Sequence, residues 1–150
     1  LAAAQDARDE LMVGLEEAIG TDDNWFDWLD GDQFEGAGAT AAAQGLAAEN
    51  DATVQGGAVP TEVNGFPGYQ VEIETNYTVG DSIIPGTESQ TARAHATAVI
   101  QPRCDFDAPD DPKDVVELDC DGQLVDIDPE DFDLDDLPDA SVLFSVHLAE

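Results

Sequence analysis

Residues Tyr69–Cys104 read YQVEIETNYTVGDSIIPGTESQTARAHATAVIQPRC, two long alternating segments around a loop with a small apolar tip. In the first segment Tyr69, Val71, Ile73, Thr75, Tyr77 and Val79 fall on one side, and Gln70, Glu72, Glu74, Asn76 and Thr78 on the other. In the second, Ala94, Ala96, Ala98 and Ile100 alternate with Arg93, His95, Thr97, Val99 and Gln101. Successive side chains of a strand point to opposite faces, so a period of two predicts a β-hairpin over 69–103 with one buried and one wet face. Alanine is a poor strand former. A strand rich in it predicts that another element, most simply a helix, lies close against the sheet.

Such a helix opens the chain. Ala4, Ala7, Leu11, Leu15 and Ala18 repeat at helical spacing over residues 1–19, with Met12 and Ile19 widening the stripe and Gly20 ending it. Leu11, Leu15, Ala18 and Ile19 are its expected packing face. The segment NWFDWLDGDQF concentrates Trp25, Phe26, Trp28, Leu29 and Phe34. It reads as a short helical turn packed on the core, or else as an aromatic patch for a partner. The alanine-rich stretch at 39–49 predicts a second helix, because alanine is the best helix former. Gly56-Gly57, Pro60, Asn64-Gly65 and Pro67-Gly68 punctuate short strands at 52–55 and 58–63. Residues 141–149 predict a final strand, with Val142, Phe144, Val146 and Leu148 alternating against Ser145 and His147. The expected fold is one α+β domain spanning 1–150, an N-terminal helix on a small antiparallel sheet.

The chain carries 35 acidic and 4 basic residues, a formal charge of -31. Such a surface repels phosphate backbones and anionic lipid heads, which argues against direct nucleic-acid or membrane-surface binding. Cations, basic protein surfaces or water are the expected neighbours. Sixteen of the acids fall between Asp105 and Asp139, with Lys113 the one base there. Pro109, Pro112, Pro129 and Pro138 divide this segment, so 104–139 reads as acidic loops with a short strand at Gln123–Ile127. An EF-hand would need glycine at its sixth position. A loop begun at Asp131 has Asp136 there, and one begun at Asp119 has Leu124. A calcium site of another kind, built from Asp126, Asp128, Glu130, Asp131 and Asp133, stays open. No other cofactor is expected.

Cys104 and Cys120 lie 16 positions apart, with no C-x-x-C pair and no adjacent histidine to suggest zinc or redox catalysis. A disulfide closing the acidic segment is preferred over two buried thiols, and it would place the chain in an oxidising compartment. No catalytic residues are assigned. Carboxylates are too numerous to single out a pair, and His95 and His147 lie opposite the apolar sets of their strands. Asn76-Tyr77-Thr78 matches a glycosylation sequon within the first strand of the hairpin. No run of 18 apolar residues crosses a membrane. Leu1 leads straight into a helical pattern, which raises the expectation of an upstream segment removed by processing.

This order of elements resembles the pseudopilins of Tad (tight adherence) pilus systems, the TadE/TadG-like minor pilins of Flp-type type IV pili. The resemblance rests on the helix Leu1 to Ile19, the strand Tyr69 to Val79, the apolar-Pro-Gly element Ile83-Ile84-Pro85-Gly86 and the repeat Ala92-Arg93-Ala94-His95-Ala96. The ending DASVLFSVHLAE is similar to the last strand of actinobacterial members. The resemblance implies a pilin-like fold and an assembly role without catalysis. It also implies other pilus subunits as partners and a cell-surface location, anchored through an upstream hydrophobic helix. The missing membrane segment and the cysteine-closed acidic segment depart from the pattern.

Overall fold

The computed structural model describes residues 1–78, 80 and 84–150. Val79 and Ile83 of the hairpin reading lie outside the described residues. The chain folds as α+β, with its N-terminal helix packed on an antiparallel sheet. Helix α1 (Ala2–Ala18) buries Ala3, Ala4, Ala7, Leu11, Met12, Leu15 and Ala18, with Ile19 buried just beyond its end. The four residues expected to form its packing face are thus all buried. A 3-10 turn (Trp25–Asp30) follows, then α2 (Ala39–Glu49), which buries Ala39, Ala43 and Ala47. Those three recur every four residues and form one stripe of methyl groups.

Among the described residues, seven strands form two antiparallel sheets. The larger has the order β1-β2-β3-β7, from β1 (Ala52–Val63), β2 (Phe66–Thr75), β3 (Arg93–Pro102) and β7 (Phe144–Ala149). The two short strands expected at 52–55 and 58–63 are one strand, β1, whose register against β2 shifts between Gln55 and Ala58. Gly56 and Gly57 absorb that bulge at positive φ, and the Ala58 amide beyond it donates to Thr40 Oγ1 of α2 at 3.1 Å. Asn64 and Gly65 close the β1–β2 hairpin in a two-residue turn with positive φ at both positions. β2 begins at Phe66 and ends at Thr75. Tyr77 and the sequon residue Asn76 therefore lie in a bend, not in the strand.

Helix α1 lies beside α2 and over β3 and β7, while α2 covers β1. The alanine strand meets this layer only in part. Ala98, Val99 and Ile100 are buried, but Ala94 and Ala96 are exposed although fully extended in β3. They pair with Ile73 and Val71, which are themselves only partly buried.

The acidic segment corrects the sequence reading most. The expected strand at Gln123–Ile127 is present, but two further strands join it where loops were expected. β4 (Cys104–Asp105), β5 (Val116–Cys120) and β6 (Gln123–Ile127) form a second sheet. Val116, Leu118, Cys120, Val125 and Ile127 point inward and belong to the same buried cluster as α1, while Glu117, Asp119 and Asp126 face out. The expected strand at 141–149 begins as a helical turn, α3 (Ala140–Leu143), in which the Val142 amide donates to the Asp139 carbonyl at 2.8 Å; only Phe144–Ala149 is extended.

Close backbone approach makes Gly68 of β2 a sharp test of this packing. A Cβ there would lie 2.0 Å from the carbonyl oxygen of Ala98 and 2.7 Å from Val99 Cα, both backbone atoms of β3. Gly68→Ala is expected to cost about 1–3 kcal/mol or more through this overpacking. Gly45→Ala in α2, where a Cβ meets nothing within 4 Å, is expected to stabilise by about 0.5–1 kcal/mol. Denaturant midpoints of the two variants should move in opposite directions. Equal shifts would contradict the β2–β3 register.

Candidate functional site

Two regions of α1 meet the rest of the chain through polar or incompletely covered contacts. In the middle of the helix, Glu10 accepts from the backbone amides of Glu35 (3.4 Å) and Ala37 (3.2 Å) and so fastens the loop leading into α2. Tyr69 sits under that loop, its ring 6.2 Å from that of Phe34 and its hydroxyl where a Cβ on Gly36 would stand. Burial, then the charges of Glu10 and Asp6, raise the Tyr69 phenol above its ordinary 10.0. An acid whose folded pKa exceeds its unfolded one keeps its proton longer in the native state. Its contribution is intact below about pH 10 and is lost as pH rises through the unfolded value toward the folded one. Tyr69→Phe is expected to flatten this alkaline loss, measured as the change in urea midpoint between about pH 9 and pH 11. An unchanged slope would assign the loss to other groups.

At the N-terminal end of α1 an open groove of about 340 Å³ runs between the two helices and the sheet. Ala43, Leu46 and Ala47 of α2 form one wall, Ala52 of β1 with Val71 and Ile73 of β2 the floor, and Leu1 and its neighbours the end. Leu1 and Leu46 are each 48% exposed. Sequence reasoning passed over this groove. Its signal is Leu46, the one large apolar residue of α2, set off the Ala39/Ala43/Ala47 stripe.

The aromatic segment is absorbed by the core. Trp25 is fully buried, its indole N–H donating to the Pro112 carbonyl at 3.0 Å, and it meets Phe26 edge to face. The Trp28 ring lies across α1 where Gly14 leaves room for it. These contacts hold the second sheet against the C-terminal end of α1, opposite the groove.

Cys104 and Cys120 form the expected disulfide and pair directly across β4 and β5. At the next turn Arg103 grips Asp121 at 2.7 Å and donates to the Ser141 carbonyl at 2.7 Å, tying the second sheet to α3. Two of the five carboxylates considered for calcium make contacts with nearby backbone. Asp128 accepts from the Glu130 amide, and Asp133 caps the short 3-10 turn Leu134–Asp136. Asp126, Glu130 and Asp131 are exposed. Among the described residues no three acidic, histidine or cysteine side chains come together in a group that could hold a metal ion. His95 and His147 are exposed on the face of the large sheet opposite Ala98 and Ile100.

No known protein family, curated protein or solved structure matches this chain. The fold itself defines an α+β helix-on-sheet domain carrying a small disulfide-pinned second sheet. No helix among the described residues is long and apolar enough to cross a membrane, and the disulfide is of the kind that persists in oxidising compartments.

Proposed function

We propose that this chain is a structural subunit of a cell-surface filament, a minor pilin or pseudopilin of the Tad type, and that it performs no catalysis. The observation that carries the reading is the seating of α1. The helix lies along a four-stranded antiparallel sheet with Leu11 and Leu15 fully buried, and its first residues line an open groove against Val71 and Ile73. In this reading α1 is the sheet-bound part of a longer helix whose apolar portion enters the membrane before assembly and the filament afterwards. The rigid α1–sheet unit then transmits position from the filament axis to the acidic outer surface, and neighbouring subunits are its partners. The disulfide fits folding outside the cytosol.

Fractionation of cells producing the full gene product tests this. The protein is expected in the membrane fraction and in sheared surface material, and removal of the hydrophobic helix ahead of α1 should release it. A full gene product with no such helix would overturn the reading.

A further inference from the structure

We propose that the groove at the N-terminal end of α1 receives a basic amphipathic segment of a partner protein, its apolar stripe seated on Leu46, Val71 and Ile73. The inference stands apart from the filament reading, because it rests on the shape and charge of this one site. The groove is apolar in its walls and floor, with Asn50 its one polar-side-chain residue. The apolar surface continues beyond it over exposed Ala94 and Ala96, the β3 partners of Ile73 and Val71, to Leu148, which pairs with Ala98 and is 55% exposed.

Charge selects the occupant. Exposed Glu49 and Asp51 flank Asn50 at the groove's edge. None of the chain's four cationic side chains lines it. Arg8, Arg93 and Arg103 are engaged with Asp9, Glu74 and Asp121, and Lys113 borders a different hollow beside Pro112 and Pro129. A second copy of this chain would bring a further charge of -31 to the contact, so self-association is opposed. A helix with apolar anchors at i, i+3, i+4 and i+7 and lysine or arginine on its flanks satisfies both the floor and the field.

The test uses a labelled peptide of about 16 residues with leucines at that spacing and lysines elsewhere, beside a scrambled isomer of equal charge. Binding is read by fluorescence anisotropy at one fixed salt concentration, on residues 1–150 and on the full gene product. The striped peptide is expected to bind at least about tenfold more tightly than the scrambled one, a difference of about 1.4 kcal/mol. Leu46→Ser should remove that difference while the protein stays folded, its melting temperature lowered by a few degrees at most, whereas Leu124→Ser on exposed β6 should leave it intact. Equal affinity for the two peptides would reduce the effect to bulk charge and overturn the proposal. So would a Leu46→Ser variant that binds like the parent, or a dimer in sedimentation that Leu46→Ser disrupts. Binding to residues 1–150 that disappears in the full gene product would give the groove to the chain's own segment, and would overturn it as well.

Discussion

Transfer from about 1 M to about 0.01 M salt at pH 7 is expected to lower the melting temperature by on the order of 10 °C or more. The Debye length grows over that range from about 3 Å to about 30 Å, so carboxylates that were screened from one another begin to interact across the whole molecule. The chain has a charge of -31, and three ion pairs involve its described residues. Self-repulsion of that kind acts on the compact state more than on the expanded one. Each kcal/mol moves the midpoint of a domain this size by about 2–4 °C, so a few kcal/mol suffices. Acidification at low salt should work in the opposite direction. Burial first, then Asp32 and Asp27, raise the Asp30 pKa above its ordinary 3.8. The native state therefore holds that proton more tightly, and the penalty for ionising Asp30, full above the folded value, is relieved as pH falls from the folded value toward the unfolded one. A melting temperature independent of salt would show that the acidic surface does not govern stability. Calcium offers an internal check. At matched ionic strength it should act much like other salts, whereas full stabilisation at far lower concentration would reveal a specific site.

Leu15→Ala is expected to cost about 2–5 kcal/mol, the usual price of truncating a fully buried leucine whose surroundings cannot collapse into the space. Leu15 is 0% exposed and occupies the helix face that meets the sheet. The same measurement on Asp9→Asn sets the scale. Asp9 pairs with Arg8 at 3.2 Å, but its side chain is 68% exposed. Exposed pairs contribute about 0–1 kcal/mol, and here the substitution also removes one of many repelling charges. Asp9→Asn should therefore be neutral or slightly stabilising at low salt. Comparable losses for the two variants would mean that the α1–sheet contact is not the main source of stability.

Much of this architecture is legible in the order of residues. The stripe Leu11, Leu15, Ala18 marks α1, and the alternation from Tyr69 to Thr75 and from Arg93 to Gln101 marks the paired strands. Period, however, says which side chains share a face and not what covers it. That is why Ala98 and Ile100 meet the helix layer while Ala94 and Ala96, on the same face, do not. In the second sheet β6 was legible, but β5 was hidden by charge density. VELDC alternates as cleanly as the hairpin does, QLVDI less so because Leu124 faces out, and Asp121-Gly122 between them is a strong two-residue turn signal, adopting positive φ at both positions. The outward acids of β5 made a half-buried strand look like part of a solvated loop. At the end of the chain, alternation from Val142 to Leu148 ran through a turn, because Asp139 and Ala140 start a helical turn that a period of two cannot register. The groove needed three separate segments to be brought together, and no local pattern in the sequence joins Leu46 to Ile73.

The filament assignment is tested most directly by antibodies raised against residues 1–150 and applied to intact cells under the electron microscope. The account predicts gold label on surface filaments, lost when the gene is deleted and restored when it is returned. Unlabelled filaments on cells that release the protein free into the medium would contradict it.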